Sequence, residues 1–176
     1  MARIVYKQGF EGQNKLECIE GIEIDLFNGQ KALIYPKYAE KALLESEQLD
    51  GWKGPEETEI EALRVNNTFT KTLALLNAGS PAAKWVTQFG SDYDFFYLLP
   101  SLSAAMEIQY QKNDIDTLAE TIKGADLLRN FIPFVWSCSQ SNDYLSWAAF
   151  GEDGFAGQNS VYHSYLVVPT ILINNE

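Results

Sequence analysis

Apolar and acidic residues alternate from Leu16 through Cys18, Ile19, Glu20, Ile22, Glu23, Ile24 and Asp25 to Leu26. A period of two is that of a half-exposed β-strand. Phe27-Asn28-Gly29-Gln30 follows, and its Asn-Gly pair is the signal for a two-residue hairpin turn. Lys31 to Pro36 is then the return strand, and Arg3 to Tyr6 is a short β-branched strand before it. Tyr38 to Gln48 has helical composition, and Leu49 to Glu57 reads as a loop. Glu56, Glu57, Glu59 and Glu61 read as solvated surface.

From residue 67 the period changes. A helix is predicted over about 68–77, with Phe69, Leu73 and Leu76 at helical spacing and Gly79 just past its end. Ser80-Pro81 is an N-cap followed by a proline at the first helical position, and this helix carries Trp85, Val86 and Phe89. Ser101 caps a third helix with Leu102, Ala105, Met106 and Tyr110 on one face. A shorter piece runs around Asp116 to Lys123 and ends at Gly124. From Phe131 onward strands and turns return. Strands, then helices, then strands make an α+β chain rather than alternating β-α units.

The length, 176 residues, suits one domain over 1–176, with 1–20 as an N-terminal extension or strand. The formal charge of −11 disfavours nucleic acid and anionic membranes as partners. No apolar stretch is long enough for membrane insertion. The N-terminus lacks the apolar core of a signal peptide, so the expected location is cytoplasmic or virion-associated, unless a leader is missing. Cys18 and Cys138 are far apart with apolar neighbours, which suits two buried thiols better than a disulfide.

Catalytic chemistry has little to work with. His163 is the only histidine, its neighbourhood reads as an exposed strand or loop, and no catalytic residues are assigned. One His and two scattered Cys do not make a usual zinc site. Glu152 and Asp153 with Asp143 offer oxygen ligands to a hard cation, but Gly151 to Gly154 is more simply a polar hairpin turn. No cofactor and no obligatory metal are expected. Trp136 and Trp147 sit at strand spacing and are assigned to the core, while Trp52 lies in a Gly-flanked acidic loop that exposure would suit.

A family resemblance runs through these motifs in order. Gly21-Ile-Glu-Ile-Asp and Asn28-Gly29 match a first hairpin, Asn67-Thr68 and Ala82-Ala83 two helix starts, and Leu98-Leu99-Pro100-Ser101 with Tyr110-Gln111 a Leu-Pro helix. Val135-Trp136-Ser137, Ser146-Trp147 and Val167-Val168-Pro169 match the closing strands. Over about 21–173 the chain resembles the C-type-lectin-like domain of collagen-like bacterial adhesins and bacterial surface lipoproteins. More distantly it resembles the variable proteins of diversity-generating retroelements, many of them in phages. Leu98 and Val168 stand where that family usually has Arg, and the calcium-binding motifs of animal lectins are missing. The resemblance implies a C-type-lectin-like fold with antiparallel sheets and two or three main helices. Formylglycine-generating oxidases share that layout but need paired cysteines, and Cys138 has no partner nearby.

The expected function is non-enzymatic recognition, or adhesion, of a protein or surface glycan by C-terminal loops. The alternative is a structural or decoration component of a phage virion or other assembly, as a homo-oligomer or within a particle. The expected binding residues are Asn142, Asp143, Tyr144, Gln158, Asn159, Tyr162 and His163, a mixture of aromatic area and adaptable polar groups. Tyr165 belongs to the same polar, tyrosine-rich stretch, and Asn142, Asp143, Tyr144, Asn159, Ser160, Tyr162, His163 and Ser164 form a set with the composition of retroelement-diversified positions.

Overall fold

A computed structural model describes residues 1–42, 56–93, 96–131, 133–141, 144–151, 155–161 and 163–173. Within them the fold is α+β, with five α-helices and two sheets in which nearly every pairing is antiparallel. The first sheet contains β1 (Arg3–Tyr6), β2 (Ile19–Asp25), β3 (Lys31–Ile34) and β9 (Thr170–Ile173), in that order. The second runs β4 (Ala39–Ala42), β8 (Tyr165–Val167), β5 (Phe134–Gln140), β6 (Leu145–Phe150), β7 (Phe155–Ser160). Its one parallel contact joins β5 to β8 at Val135 and Leu166. The first and last described strands thus share a sheet, as its two edges.

β2 departs from the half-exposed strand its alternation predicts. Both faces are covered, and Glu20 and Glu23 are nearly as buried as Ile22 between them. Glu23 is tolerated because Arg3 binds it at 2.9 and 3.2 Å and Lys31 at 3.0 Å. Burial alone would raise its carboxyl, but those two cations hold it below the ordinary carboxylate range. Glu20 is covered by Ser91, Asp92 and Tyr97. The turn after β2 also differs from a two-residue hairpin. Gly29 N–H bonds Leu26 C=O at 3.0 Å and Leu26 N–H bonds Gln30 C=O at 2.8 Å. Asn28 keeps a negative φ and Gly29 alone is left-handed at 81°, so the loop is three residues long with a glycine bulge.

The helical composition from Tyr38 is overridden at its start: Ala39–Ala42 is β4, held by antiparallel pairing to β8. The remainder of that stretch, and Trp52, lie outside the described residues. A short helix α1 (Glu59–Leu63) follows, opened by a capping box in which Thr58 and Glu61 exchange bonds. Glu57 is not solvated: its carboxylate meets Lys71 at 2.7 Å in a largely buried pair.

Helix α2 (Thr68–Asn77) has its predicted bounds, but its buried stripe is Thr68, Thr72 and Leu75, leaving Phe69 exposed and Leu73 and Leu76 at its margin. Thr72 is held inside because its hydroxyl accepts Leu99 N–H at 3.1 Å. Helix α3 (Pro81–Thr87) starts after Ser80, whose hydroxyl accepts Ala83 N–H at 3.2 Å. Helix α4 (Leu102–Tyr110) starts after Ser101, which does the same for Ala104 at 3.2 Å. Tyr110 is exposed rather than core. Helix α5 (Lys112–Ala119) begins four residues before the predicted start.

The five-stranded sheet lies between two helical layers. Ile108 of α4 and Ile115 of α5 share a core with Val135, Ala149 and Leu166 on one face of this sheet and with Ile22 and Ile24 of the four-stranded sheet. Leu75 of α2 and Ala83 and Val86 of α3 pack with Trp136, Ala148 and Val167 on the other. Trp136 is fully buried, Trp147 nearly so, and Cys18 and Cys138 are buried free thiols. No helix among the described residues is long and apolar enough to cross a membrane.

Glu107 marks a weak point in α4. It is 3% exposed, one oxygen accepts Gln111 Nε2 at 2.7 Å, and the other has no partner among the described residues. Burial raises its carboxyl. A raised folded pKa means the folded state holds the proton more tightly, so stability present at acid pH is lost as pH rises through that value. Glu107→Gln, which mimics the neutral acid, is expected to raise the melting temperature at pH 7 and to leave it unchanged near pH 4. Equal effects at both pH values in a thermal melt would refute this account.

Candidate functional site

The face of the five-stranded sheet under α2 and α3 carries a row of aromatic rings at one end. Strand register places them: Phe134 stands opposite Phe150 and Phe150 opposite Phe155, while Tyr165 enters from β8 on the other side. Ring centroids lie 6.4 Å apart for Phe155 and Phe150, 5.8 Å for Phe150 and Phe134, and 4.7 Å for Phe134 and Tyr165. The last two pairs are stacked, with interplanar angles of 26° and 16°. Alternation puts every member on one face. α2 and α3 bury the inner part of that face, but Phe134, Phe150 and Tyr165 stay half-buried and Phe155 is exposed. The result is a flat apolar shelf open to solvent.

Gly157 shapes the shelf. A Cβ there would lie 2.6 Å from Phe150 Cε1, so only glycine lets that ring settle over β7. Ala148, between Trp136 and Gly157 in the register, adds little bulk. Tyr165 can therefore lie along the sheet, its ring 4.7 Å from that of Trp136.

The shelf ends in polar groups. Tyr165 hydroxyl donates to Asn159 Oδ1 at 2.9 Å and lies 3.0 Å from His163 Nδ1, with the imidazole edge-on to the phenol at 5.6 Å. Partial burial pushes the Tyr165 phenol above its ordinary value, so it stays protonated and able to donate. An amide, a phenol and an imidazole thus converge beside the aromatic row.

Of the expected binding residues, Asn159 and His163 are brought together here through Tyr165. Asn159 and Gln158 lie within β7, not in a connecting loop, because Ser146 and Trp147 pair with them. Alternation then places exposed Gln158 on the opposite face, with Ala156 and Trp147, away from the shelf. Tyr144 is 67% exposed just before β6, its carbonyl accepting Val161 N–H at 3.0 Å. Asn142, Asp143 and Tyr162 lie outside the described residues, as do Glu152 and Asp153. Among the described residues, no group of three or more His, Cys, Asp or Glu is placed to hold a metal ion. Cys138 is fully buried, and burial pushes its thiol up to about 12, far from a reactive thiolate at neutral pH.

Sequence reasoning missed Phe134, Phe150, Phe155 and Gly157, and left Tyr165 outside the site. A signal was present in part: Phe150 and Phe155 flank the Gly151–Gly154 turn symmetrically, which places them opposite each other in a hairpin. The comparisons with protein families, with characterised proteins and with solved structures found no match.

Proposed function

We propose that this chain is a non-enzymatic recognition module on a C-type-lectin-like scaffold, and that it holds a neutral glycan on the aromatic shelf of its larger sheet. The observation that carries this reading is the half-exposed ring row running into the Asn159–Tyr165–His163 network. A sugar ring has an apolar C–H face that packs on an aromatic plane and hydroxyls that pair with amide, phenol and imidazole. Binding sites of this kind combine apolar area with a few placed polar groups. The acidic net charge favours a neutral ligand over a polyanion.

The lectin-like scaffold is supported by the arrangement of the matched motifs. The Leu-Pro segment joins β9 through reciprocal Leu98–Thr170 backbone bonds of 3.0 and 2.9 Å. The Trp-Ser strand β5, the Ser-Trp strand β6 and the Val-Val-Pro strand β8 lie side by side in one sheet. Helices begin at both capping serines. The Cys138 thiol is buried and held protonated, which favours binding over thiol chemistry.

Screening neutral oligosaccharides on an array, then titrating the best by calorimetry, tests the reading. Phe155→Ala and Asn159→Ala are each expected to weaken binding about tenfold, near 1.4 kcal/mol, with the melting temperature held. Binding untouched by both variants, with losses confined to Tyr144, would move the site off the shelf. Capture of a protein but no glycan would replace the ligand class.

An assembly role is the second reading. Phe27 is 85% exposed and Tyr110 62% exposed, with their rings 5.8 Å apart at the far end of the first hairpin. A self-associating chain would have an oligomer mass in light scattering that falls to the monomer in Phe27→Ser.

A further inference from the structure

A second site lies well away from the shelf, where the end of β1 and the turn after it face the 91–93 turn. A cavity of about 340 Å³ opens there, lined by Tyr6, Gln8, Glu11, Glu20, Asp92 and Tyr93. Among the described residues its lining is three carboxylates, two phenols and one amide, with no cation. Arg3, the nearest arginine in sequence, is already engaged by Glu23 through both its Nε and Nη2.

Glu20 sets the chemistry. It is 3% exposed, although Glu11 and Asp92 at the rim are exposed. Its Oε2 accepts Ser91 Oγ–H at 3.0 Å and Asp92 N–H at 3.2 Å, while its buried Oε1 has no partner among the described residues. Tyr97 fixes the same residue by donating its hydroxyl to the Glu20 carbonyl, so the carboxylate is held by both its backbone and its side chain. A buried carboxylate with an unfilled acceptor is costly unless a cation or donor meets it. Burial and the adjoining Asp92 carboxyl raise the Glu20 carboxyl, the response expected of an acid lacking a counter-charge.

We infer that this cavity binds an alkylammonium or alkylguanidinium group, with Glu20 Oε1 as its buried anchor and Asp92 and Glu11 at the rim. A metal ion fits less well, because no three acidic groups among the described residues converge as ligands and the cavity is much larger than an ion. A cation of several atoms matches the volume. The Tyr6 and Tyr93 rings supply flat electron-rich surface for the charge and its alkyl stem. The group can belong to a free amine or to a Lys or Arg side chain of a protein, and the chemistry at Glu20 is the same. This site stands independently of the glycan reading.

The test is an amide-resolved NMR titration of the full chain with n-butylammonium chloride, against sodium chloride and calcium chloride at matched ionic strength. Saturable shifts are expected at Glu20, Ser91 and Asp92, with a dissociation constant on the order of 1 mM, as suits so few atoms. Glu20→Gln is expected to weaken binding at least tenfold while its spectrum stays folded, and Asp92→Asn to weaken it less. n-Pentanol, an uncharged analogue, is expected not to bind. N-acetyl-lysine methylamide binding tighter than butylammonium would assign the group to a protein side chain, and the reverse order to a free amine. Absence of saturable shifts, undiminished binding in a folded Glu20→Gln, or equal shifts with calcium would overturn the inference.

Discussion

Trp136→Ala is expected to lower unfolding free energy by about 3–5 kcal/mol, the largest loss from any single core truncation here. The side chain is fully buried between the sheet and helices α2 and α3, among Leu75, Val86, Ala148 and Val167. Ala148 cannot swell to fill the void, and the backbones around it are fixed by strand pairing with β5 and β7. Domains commonly have only about 5–15 kcal/mol in total, so this variant stands near the threshold of folding. Trp136→Phe separates volume from polarity. The indole N–H has no partner among the described residues, so its loss forfeits no hydrogen bond, and about 1–2 kcal/mol is expected from the smaller ring alone. Urea unfolding followed by circular dichroism measures both. A near-neutral Trp136→Ala would mean the indole does not fill this core. The same truncation removes the ring beneath Tyr165, so any surviving folded fraction is expected to bind shelf ligands poorly.

Local chemistry made much of the helical part legible in the sequence. Ser80-Pro81 and Ser101 point to helix starts because a serine hydroxyl satisfies a free N–H at the first turn wherever the helix later docks. Thr58 and Glu61 carried an equally local signal, the capping box of α1, which was overlooked. The misreadings arise where a distant partner decides. Alternation in β2 correctly marked a strand, but the acidic face is covered by Arg3, Lys31 and the 91–93 turn, which are remote in sequence. Phe69, Leu73 and Leu76 looked like the inner stripe of α2, yet a threonine stripe faces inward because Leu99 N–H needs the Thr72 hydroxyl. Ala39–Ala42 is extended because β8 pairs with it.

The candidate site shows the same division. Asn159 and His163, both expected from composition, do meet, but only Tyr165 joins them, through a bond that crosses the sheet. Loop composition could not separate Gln158 from Asn159, which strand alternation sends to opposite faces. The shelf itself is a product of register, since Phe134 is adjacent to Tyr165 only after β5 and β8 align in parallel. The buried Glu20 looked like one more residue on a wet strand face, and nothing local distinguished it from Glu17.

Gly21→Ala is expected to cost about 3 kcal/mol despite adding one methyl group. A Cβ at this position would lie 2.5 Å from the Ile34 carbonyl oxygen and 3.0 Å from its carbonyl carbon, with Leu33 Cγ at 3.1 Å. Two of those atoms are backbone, so no rotamer change relieves the overlap, and β2 must move away from β3. That movement is opposed on both sides, because Gly21 pairs with Val5 of β1 while the adjacent Ile22 pairs with Ile34. Gly29→Ala is the control. Gly29 has a left-handed φ of 81° but nothing within 4 Å of its Cβ position, so only the conformational cost of about 1 kcal/mol applies. Chemical denaturation of the two variants distinguishes overlap from backbone preference: Gly21→Ala should lose clearly more, and equal losses would mean the strands are not held this closely. The effect should reach function as well. Glu20 is the neighbouring residue, and its carbonyl accepts the Tyr97 hydroxyl while its carboxylate is bound by the 91–93 turn. Displacing β2 moves that carboxylate relative to Asp92 and Tyr93, so amine binding in the folded Gly21→Ala protein is expected to weaken, whereas Gly29→Ala should bind like the native chain.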